Sequence, residues 1–552
     1  MKTPNNLKKN LKIALYSFLG LFAIVSMICF WGLKPLLSKR IQEATLSATD
    51  GLYNVGFKKI EYEIFSGTAR IVNATWEADT TLFDLLKKKK KLPNNIYKGK
   101  VNNIRLTGLR PWTIIFSKKL SIASIEIVNP NVEIIHENQP YNSFKTGKTP
   151  YQIISKFIES FSVGKISCQN INFAYTDLST SEKINTNRIE NLDLEMSNLL
   201  IDSVSHKDKD RFYYSKACFF RLKKMRLPSE DSLNVLTIND VLFSSKNKEL
   251  TIRKIVNSPR YKALEYGNRS GGQDRVESIV ENVKLTKINL EKLFEEKKMY
   301  AQNLWISKGK LEVFADTRPF KENIKANYKP FPHEAFRKMD IKFMVDTVHI
   351  NQLKITYSEY NPDTDLVGHV HFNKIKGIAL NLTNDTIPLQ KNPHCLFHLN
   401  TEFMNKTSVD VNFDFNIASL NGDFKCDGKV AKMSAIDLNQ VTNALAMAKA
   451  QDGLLDSFSF TMSGNKKGIK GSVKMLYHDL KVIMLQDKNQ DKVLKKKIIM
   501  SIVANNFVIK NANPLRNKPV RVIAIDYHRN PSKGFFFTLW RFLLVGIKET
   551  VM

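Results

Sequence analysis

The sequence predicts a mainly β protein that begins with a transmembrane helix, continues as an elongated antiparallel β-sheet, and contains a few short amphipathic helices. Three observations predict this fold: an uncharged apolar segment near the N-terminus, apolar residues that alternate with period two along most of the chain, and helical periodicity confined to short segments. With 552 residues, of which 43% are hydrophobic, the chain is long enough to divide into domains.

The N-terminal apolar segment runs from Ile13 to Leu33 without a charged side chain. A helix of that length spans roughly 30 Å, the thickness of the hydrocarbon core of a bilayer. A cleaved signal peptide is the alternative, but the residues after Leu33 offer no small-x-small cleavage site. We therefore expect a retained single-pass anchor. Its membrane-facing side chains include Phe18, Leu21, Phe22, Ile24 and the interfacial Trp31.

The charges beside the anchor bear on its orientation. Basic residues lie on both sides of the segment, at Lys8, Lys9 and Lys12 before it and at Lys34, Lys39 and Arg40 after it. The predicted arrangement is a short cytoplasmic N-terminus, residues 1–12, with the large C-terminal part translocated. Abundant Lys, Asn and Ile are typical of an AT-rich bacterial genome. We expect a bacterial inner-membrane protein with its bulk in the periplasm.

The chain is strongly basic, with 84 Lys and Arg against 53 Asp and Glu and a formal net charge of +31. Such a charge favours anionic partners, among them nucleic acid, phospholipid headgroups and lipopolysaccharide. We expect no nucleic-acid partner in the predicted compartment. The expected partners there are anionic lipid and the inner membrane. The five cysteines include no C-x-x-C pair, so the sequence predicts neither a zinc module nor a disulfide framework.

A strand pattern recurs along the chain. The segments CQNINFAY (168–175) and INQLKITY (350–357) share the spacing of their apolar residues, and IVNPNVEI (127–134) and ISKGKLEV (306–313) show a longer variant. Each segment is interpreted as strand, tight turn, strand. Repetition of such a unit predicts an elongated sheet built by stacking, and chance similarity among antiparallel strands is the alternative.

Helical periodicity predicts helices over Thr80 to Lys91, Pro150 to Phe161 and Gly534 to Ile547, and a capping box predicts another that starts at Asp437. The segment GFFFTLWRFLLVGI (534–547) is apolar nearly all round and too short to span a bilayer. It is predicted to pack in the protein's own core, to plug the sheet, to enter a membrane interface, or to dock on a partner protein. Its contact residues are Phe536, Trp540, Leu543 and Leu544.

Polar regions are the predicted boundaries, among them Glu137 to Thr149 and Arg318 to Pro332. From Thr407 the alternation becomes very regular, and Asn421-Gly422 predicts a hairpin turn within it. The predicted organisation is a cytoplasmic segment (1–12), the anchor (13–33), an N-terminal β-rich periplasmic region (34–330), a C-terminal β-rich region (331–530) and the apolar C-terminal helix (531–552).

Several parts of the chain are similar to one known family. The single N-terminal anchor, the strand pair FKKIEYEIFSGTARIVNATW (57–76) and the series from FNIASLNGDFKCDGKV (415–430) through SFSFTMSGNKKGIKGSVKMLYHDLKVIML (457–485) resemble the AsmA-like proteins of Gram-negative envelopes. The C-terminal tail resembles the endings of Bacteroidetes-type members. The resemblance covers both ends of the chain. The middle, roughly Pro140 to Pro332, matches only in the spacing of its strands.

The resemblance implies a long, twisted β-sheet folded into an open groove with an apolar inner face, similar to the bridge-like proteins that conduct lipids between membranes. Alternation alone fits an open groove and a closed core equally, because both need one apolar face. The candidate groove-lining residues are Ile171, Phe173, Ile306, Val313, Ile350, Ile355, Phe413 and Phe415.

No common catalytic motif is present, because G-x-S-x-G, Walker A and G-x-G-x-x-G are all missing from the sequence. The sharpest metal candidates are His369 and His371, with His394, Cys395 and His398 downstream, but no E-x-x-H spacing supports them. We expect no catalytic residue, no metal, no cofactor and no enzymatic activity.

The sequence therefore favours a periplasmic lipid-binding or lipid-transport protein that supports maintenance of the outer membrane and envelope. Its partners would be phospholipid or another acyl-chain lipid and the inner membrane, with the outer membrane or a partner protein at the C-terminal helix. The alternative is a scaffold or assembly factor for outer-membrane proteins that uses sheet edges for strand addition. A hydrolase of envelope glycans is a remote third hypothesis.

Overall fold

A computed structural model of the protein describes residues 52–63, 66–109, 117–142, 149–155, 158–179, 185–229, 231–318, 320, 328–487, 494–496 and 509–552. The predicted cytoplasmic segment and anchor, residues 1–33, lie outside this range, with the anchor residues named above. Within the part of the chain that is described, no helix combines the length and the apolar character needed to cross a membrane.

The described chain is mainly β with few short helices, as the alternation predicts. It divides into two compact units. Unit 1 takes its described residues from Met1–Leu227, Ile238–Arg253 and Thr286–Lys298. Unit 2 takes its residues from Pro228–Thr237, Lys254–Leu285 and Met299–Met552.

Unit 1 is built on a mixed sheet. Most neighbouring strands in it are antiparallel. Strands β1, β2 and β4 pair with β3, and β4 also pairs with β5 and β6. Strand β8 pairs with β7 and β9. Strands β5 and β6 lie parallel to β7. The strands are β1 (Tyr53–Gly56), β2 (Lys59–Glu63), β3 (Thr68–Ala78), β4 (Asn95–Thr107), β5 (Lys119–Val128), β6 (Asn131–His136), β7 (Ser160–Asp177), β8 (Asn185–Ile201) and β9 (Ala217–Pro228).

Four strands contribute residues to both units: β9 through its last residue, Pro228, and β10 (Asn234–Ser244), β11 (Glu249–Pro259) and β12 (Arg275–Thr286). Unit 2 continues with β13 (Met299–Asp316), β14 (Phe343–Asn361), β15 (Leu366–Thr383), β16 (His394–Phe403), β17 (Thr407–Asn416), β18 (Phe424–Val430), β19 (Met433–Ser434), β20 (Ala448–Gly464), β21 (Gly468–Asp487), β22 (Leu494–Lys496) and β23 (Val522–His528). Strand β13 is parallel to β14, and β14, β15, β16, β17, β18, β20, β21 and β23 follow one another as antiparallel neighbours. Strand β19 pairs with β20, and β22 pairs with the end of β21.

The helices are α1 (Thr80–Lys88), α2 (Pro150–Ile154), α3 (Ala263–Ser270), α4 (Leu290–Glu295), α5 (Pro332–Arg337), α6 (Thr386–Lys391), α7 (Asn439–Ala446) and α8 (Phe535–Val551). The helix predicted over Pro150 to Phe161 is wrong beyond Ile154. Phe161 belongs to β7, where it lies fully buried opposite Leu120 of β5. Burial in the sheet overrides the helical spacing at this position.

The prediction of a purely antiparallel sheet is wrong at the two places where long strands run parallel, β5 and β6 with β7 and β13 with β14. Parallel neighbours need a crossover connection of a dozen or more residues. The connections 137–159 and 317–342 are of that length. The polar regions predicted as boundaries lie within these crossovers.

The recurring segments occupy equivalent places in the two parallel pairs. In unit 1 the segment 127–134 lies alongside 168–175, with Ile127 opposite Cys168. In unit 2 the segment 306–313 lies alongside 350–357, with Ile306 opposite Ile350. The repeat is therefore a pair of parallel strands.

The tight turn predicted inside three of these segments is wrong, because β7, β13 and β14 each continue through it as one strand. Strands β7 and β14 carry a bulge there, with Asn170 and Gln352 in the left-handed region at φ of 54° and 51°. Asn tolerates this conformation better than most residues, and Gln adopts it less readily. The extra residue shifts the phase of the alternation by one position.

The core of unit 2 lies on one face of its sheet, and α8 packs on that face. Phe535 and Phe542 of α8 are buried in it, and Phe542 has no exposed surface. Gly546 permits close packing, because a Cβ atom there would lie 2.6 Å from Cδ1 of Ile525 and 2.7 Å from Cγ2 of Val473. The tail helix thus belongs to the core of its own unit.

The opposite face of the same strands is polar. On this face the Asn412 amide donates to Oδ2 of Asp427 over 2.9 Å, and the Asn400 amide donates to Asp410 over 2.7 Å. Period-two alternation therefore separates an apolar face, covered by α8, from a solvated one.

Replacing Phe542 with Ala should lower the free energy of unfolding by about 3–5 kcal/mol, because the phenyl ring is fully buried and its removal leaves a cavity. Urea unfolding monitored by tryptophan fluorescence measures the change. Glu549→Ala, at an exposed position of the same helix, is the matched control and should leave the midpoint nearly unchanged. A midpoint unaffected by Phe542→Ala would show that α8 is not part of the core.

Stability should also fall in mild acid because of His333, which is buried on α5 with its ring centroid 4.9 Å from that of Phe415. Burial lowers the pKa of His333 below its ordinary value of 6.5. Below pH 6.5 the unfolded chain therefore binds a proton that the folded chain does not, which costs up to about 1.4 kcal/mol per pH unit. Thermal unfolding between pH 7.5 and 5.5 should show a smaller decrease for His333→Phe than for the wild type, and equal decreases would contradict this assignment.

Candidate functional site

A cavity of about 640 Å³ lies in unit 2 between the apolar face of the sheet and the helices α7 and α8. Strands β14 to β18, β20 and β21 supply its floor, for example through Val411, Phe413 and Phe460. The helices supply its wall, for example through Val441 of α7 and Leu543 of α8. Nearly every side chain that borders it is apolar.

The strand pattern explains this apolar floor. Val411 of β17 lies between Leu399 of β16 and Gly428 of β18, and Gly428 lies opposite Phe460 of β20. This row crosses four strands on the face that α8 covers. A Cβ atom at Gly428 would lie 2.5 Å from the Phe460 ring, so the glycine leaves room for that ring on the floor.

Helix α8 packs against two apolar clusters, and both clusters include residues that border the cavity. Phe535 and Phe542 belong to the cluster on the sheet. Phe536 and Trp540 pack against a second cluster, which includes Val441 of α7. Phe536 and Trp540 also border the cavity, together with Leu539 and Leu543.

A buried ion pair fixes the position of α8 along the sheet. The Arg541 guanidinium contacts the carboxylate of Glu359 on β14, whose side chain is 1% exposed. The Tyr357 hydroxyl donates to Oε2 of the same carboxylate over 2.9 Å. Burial, and then the charge of Glu359, raise the pKa of Tyr357 well above its ordinary value, so this hydroxyl remains a donor.

The C-terminal end of α8 is held by contacts to its last carbonyl groups. The Lys510 amide donates to the Val551 carbonyl over 2.8 Å, and the Arg521 guanidinium donates to the Thr550 carbonyl over 3.1 Å. These donors satisfy carbonyl groups that have no partner within a helix. The helical wall is therefore attached to the rest of unit 2 at Arg541 and at its C-terminal end.

The structure places the predicted lining residues in several environments. Ile355 and Phe413 border the cavity, whereas Val313 and Phe415 are buried in the two clusters. Ile306 and Ile350 are half-buried partners across β13 and β14. Ile171 and Phe173 belong to unit 1, where Phe173 is buried.

All four predicted contact residues of the tail, Phe536, Trp540, Leu543 and Leu544, border the cavity. The residues that sequence reasoning missed come from α7, β20 and β21, among them Thr442, Phe458 and Met475. Their strands were visible as alternation, but no sequence signal showed that they share one cavity with the tail helix.

The histidines considered as metal ligands lie on β15 and β16 and have other partners. His369 contacts the hydroxyl of Ser358 over 2.8 Å, and His398 contacts the amide oxygen of Asn412 over 2.9 Å. Cys395 is buried, which raises the pKa of its thiol to about 12. Within the described residues, no group of three or more His, Cys, Asp or Glu side chains is arranged to hold a metal ion.

No family model matches the chain, and no curated protein sequence matches it. The cavity of unit 2 is therefore the feature that bears on function.

Removing Arg541 should destabilise the protein, because it leaves the Glu359 carboxylate buried without its cation. For Arg541→Met we expect a loss of about 3 kcal/mol, at the low end for a broken buried pair because the arginine is 30% exposed. The double variant Arg541→Met, Glu359→Gln should recover most of that loss, since no uncompensated charge remains. Urea midpoints of the three proteins measure both effects, and a double variant no more stable than the single one would contradict this account.

Proposed function

We propose that this protein binds acyl-chain lipid in the cavity of unit 2 and acts as a periplasmic, membrane-anchored lipid-binding or lipid-transport protein that supports the outer membrane. One observation carries the proposal: an apolar cavity of about 640 Å³ between the sheet and α8. The resemblance to AsmA-like proteins points to the same class of ligand. The open groove implied by that resemblance remains a proposal.

The size of the cavity supports an occupant. Protein interiors are close-packed, and voids larger than a water molecule are few. Sites for small apolar ligands have volumes of roughly 300–1,000 Å³, which includes the volume found here.

The chemistry of the lining supports a hydrocarbon ligand. Its aliphatic and phenyl side chains offer dispersion contacts and no charge in the interior, and water bound there would lack hydrogen-bond partners. Lys548 of α8 borders the cavity and is exposed, so a cation lies at its edge. The arrangement suits an amphiphile with buried chains and an anionic headgroup in water.

Filling the cavity should displace lipid. Residues 41–552, purified without detergent, should contain phospholipid in an organic extract analysed by mass spectrometry, and Val411→Trp should reduce its amount severalfold because the indole occupies the floor. Asp410→Trp places the same side chain on the exposed opposite face and is the matched control. A protein without lipid above an unrelated control would contradict the proposal and leave strand addition at a sheet edge as the alternative.

A further inference from the structure

Helix α1 of unit 1 is amphipathic, but its apolar face is not buried in the fold. The four bulky apolar side chains of the helix fall within one arc of about 160° around its axis, because successive residues are about 100° apart. They are Leu82, Phe83, Leu85 and Leu86. No residue of α1 is buried, and Leu85 is 43% exposed while the other three are half-buried. Helix α8 buries its apolar side chains in a core, whereas α1 leaves apolar surface available to a partner.

A run of five exposed lysines, Lys87 to Lys91, extends from the last turn of α1 into the following residues. Lys87 pairs with Glu137 over 3.3 Å, and none of the other four has an acidic partner among the residues that the structure describes. The charge of the run is therefore largely unneutralised. An apolar helix face beside clustered lysines suits the surface of an anionic membrane, which offers acyl chains and phosphates at the same place.

Helix α1 begins where the chain arrives from the predicted anchor. The Asp79 carboxylate caps the helix by accepting from the Leu82 amide over 2.9 Å, and the Asp79 amide donates to the Leu52 carbonyl over 2.8 Å. Residues 34–51 alone separate Leu52 from the end of the predicted anchor at Leu33. A chain of this length spans at most about 60 Å. Docking of α1 on the membrane that holds the anchor is therefore intramolecular, so a weak attraction is sufficient.

We infer that α1 and its lysine run form a second membrane contact, in which the apolar face enters the headgroup layer of the anionic leaflet beside the anchor and the lysines bind lipid phosphates. The inference rests on the anchor in the proposed function and is independent of the ligand in the cavity. With nine residues, α1 is far too short to cross a bilayer. A soluble polyanion would bind the lysines but leave Leu85 in water, so the two features together favour a bilayer surface.

The test is whether Leu85 reaches lipid in the full-length protein. An environment-sensitive fluorophore is attached to Leu85→Cys in a Cys29→Ala background, because the other four cysteines are buried. The protein is reconstituted in vesicles of phosphatidylcholine, with or without an equal part of phosphatidylglycerol, that contain a spin-labelled lipid as quencher. Quenching in the anionic vesicles should exceed that in the neutral vesicles by about fivefold, the factor that one lysine contributes near an anionic surface.

Two matched controls separate docking from general effects of the membrane. A fluorophore at Leu242→Cys, on β10 in the same unit and 37% exposed, should give equal quenching in both kinds of vesicle. Changing three lysines of the run to Gln should remove the difference at Leu85, whereas the same change at three exposed lysines elsewhere in unit 1 should preserve it. The first set is Lys88, Lys89 and Lys91, and the second set is Lys207, Lys209 and Lys216.

Three results would overturn the inference while the anchor stands. They are equal quenching at Leu85 in both kinds of vesicle, a difference that survives loss of the three lysines in the run, and an equal loss of the difference in the control lysine variant. A protein that does not float with the vesicles in a density gradient would instead refute the anchor in the proposed function, and with it the tether. The comparison of the two kinds of vesicle needs no lysine variant to fold.

Discussion

Covering the apolar face of the unit 2 sheet is the constraint on which the rest of that unit depends. Eight strands from β14 to β23 follow one another as antiparallel neighbours. At about 4.8 Å between strands the sheet is roughly 35 Å wide, whereas a helix with its side chains is about 10 Å across. A single helix therefore covers only two or three strands. The apolar surface beside α8 needs other cover, and the cavity lies where protein side chains leave it unfilled.

The position of α8 is set by charge as well as by apolar contact. An apolar helix on an apolar sheet could slide or rotate at little cost, because dispersion contacts have no direction. The contact of Arg541 with Glu359 has direction, and the carboxylate is satisfied only when the helix lies in one register. A buried ion pair adds little net stability, but it disfavours other positions of the helix on the sheet. The ion pair thus favours one position of the helix that forms the wall of the cavity.

Much of this fold follows from local patterns in the sequence. The hairpin predicted at Asn421-Gly422 is confirmed by the pairing of β17 with β18, and Gly422 has a φ of 69°. The predicted tail helix is confirmed as α8, and it extends to Val551. The helix predicted to start at Asp437 begins at Asn439 after a 3-10 turn. These features depend on a few neighbouring residues, so they can be predicted from the sequence.

The parallel strand pairs and the cavity could not be predicted in this way. The crossover that joins β13 and β14 carries no sequence signal for parallel pairing. Apolar alternation is the same in parallel and antiparallel neighbours. Phe413 and Phe415 are two residues apart on one face, yet one borders the cavity and the other is buried in the core. That difference depends on what packs above them, which lies more than a hundred residues away in the chain.

The bulges at Asn170 and Gln352 have a consequence for how the chain can change in length. Shortly before each bulge the buried residues include the even-numbered Cys168 and Val348, and beyond it they include the odd-numbered Phe173 and Tyr357. Deleting one residue there would turn the remainder of a long strand over and expose its apolar side chains to water. We therefore expect the gain or loss of single residues to disrupt these strands more than the loops between them, which fits the equal spacing of apolar residues in 168–175 and 350–357.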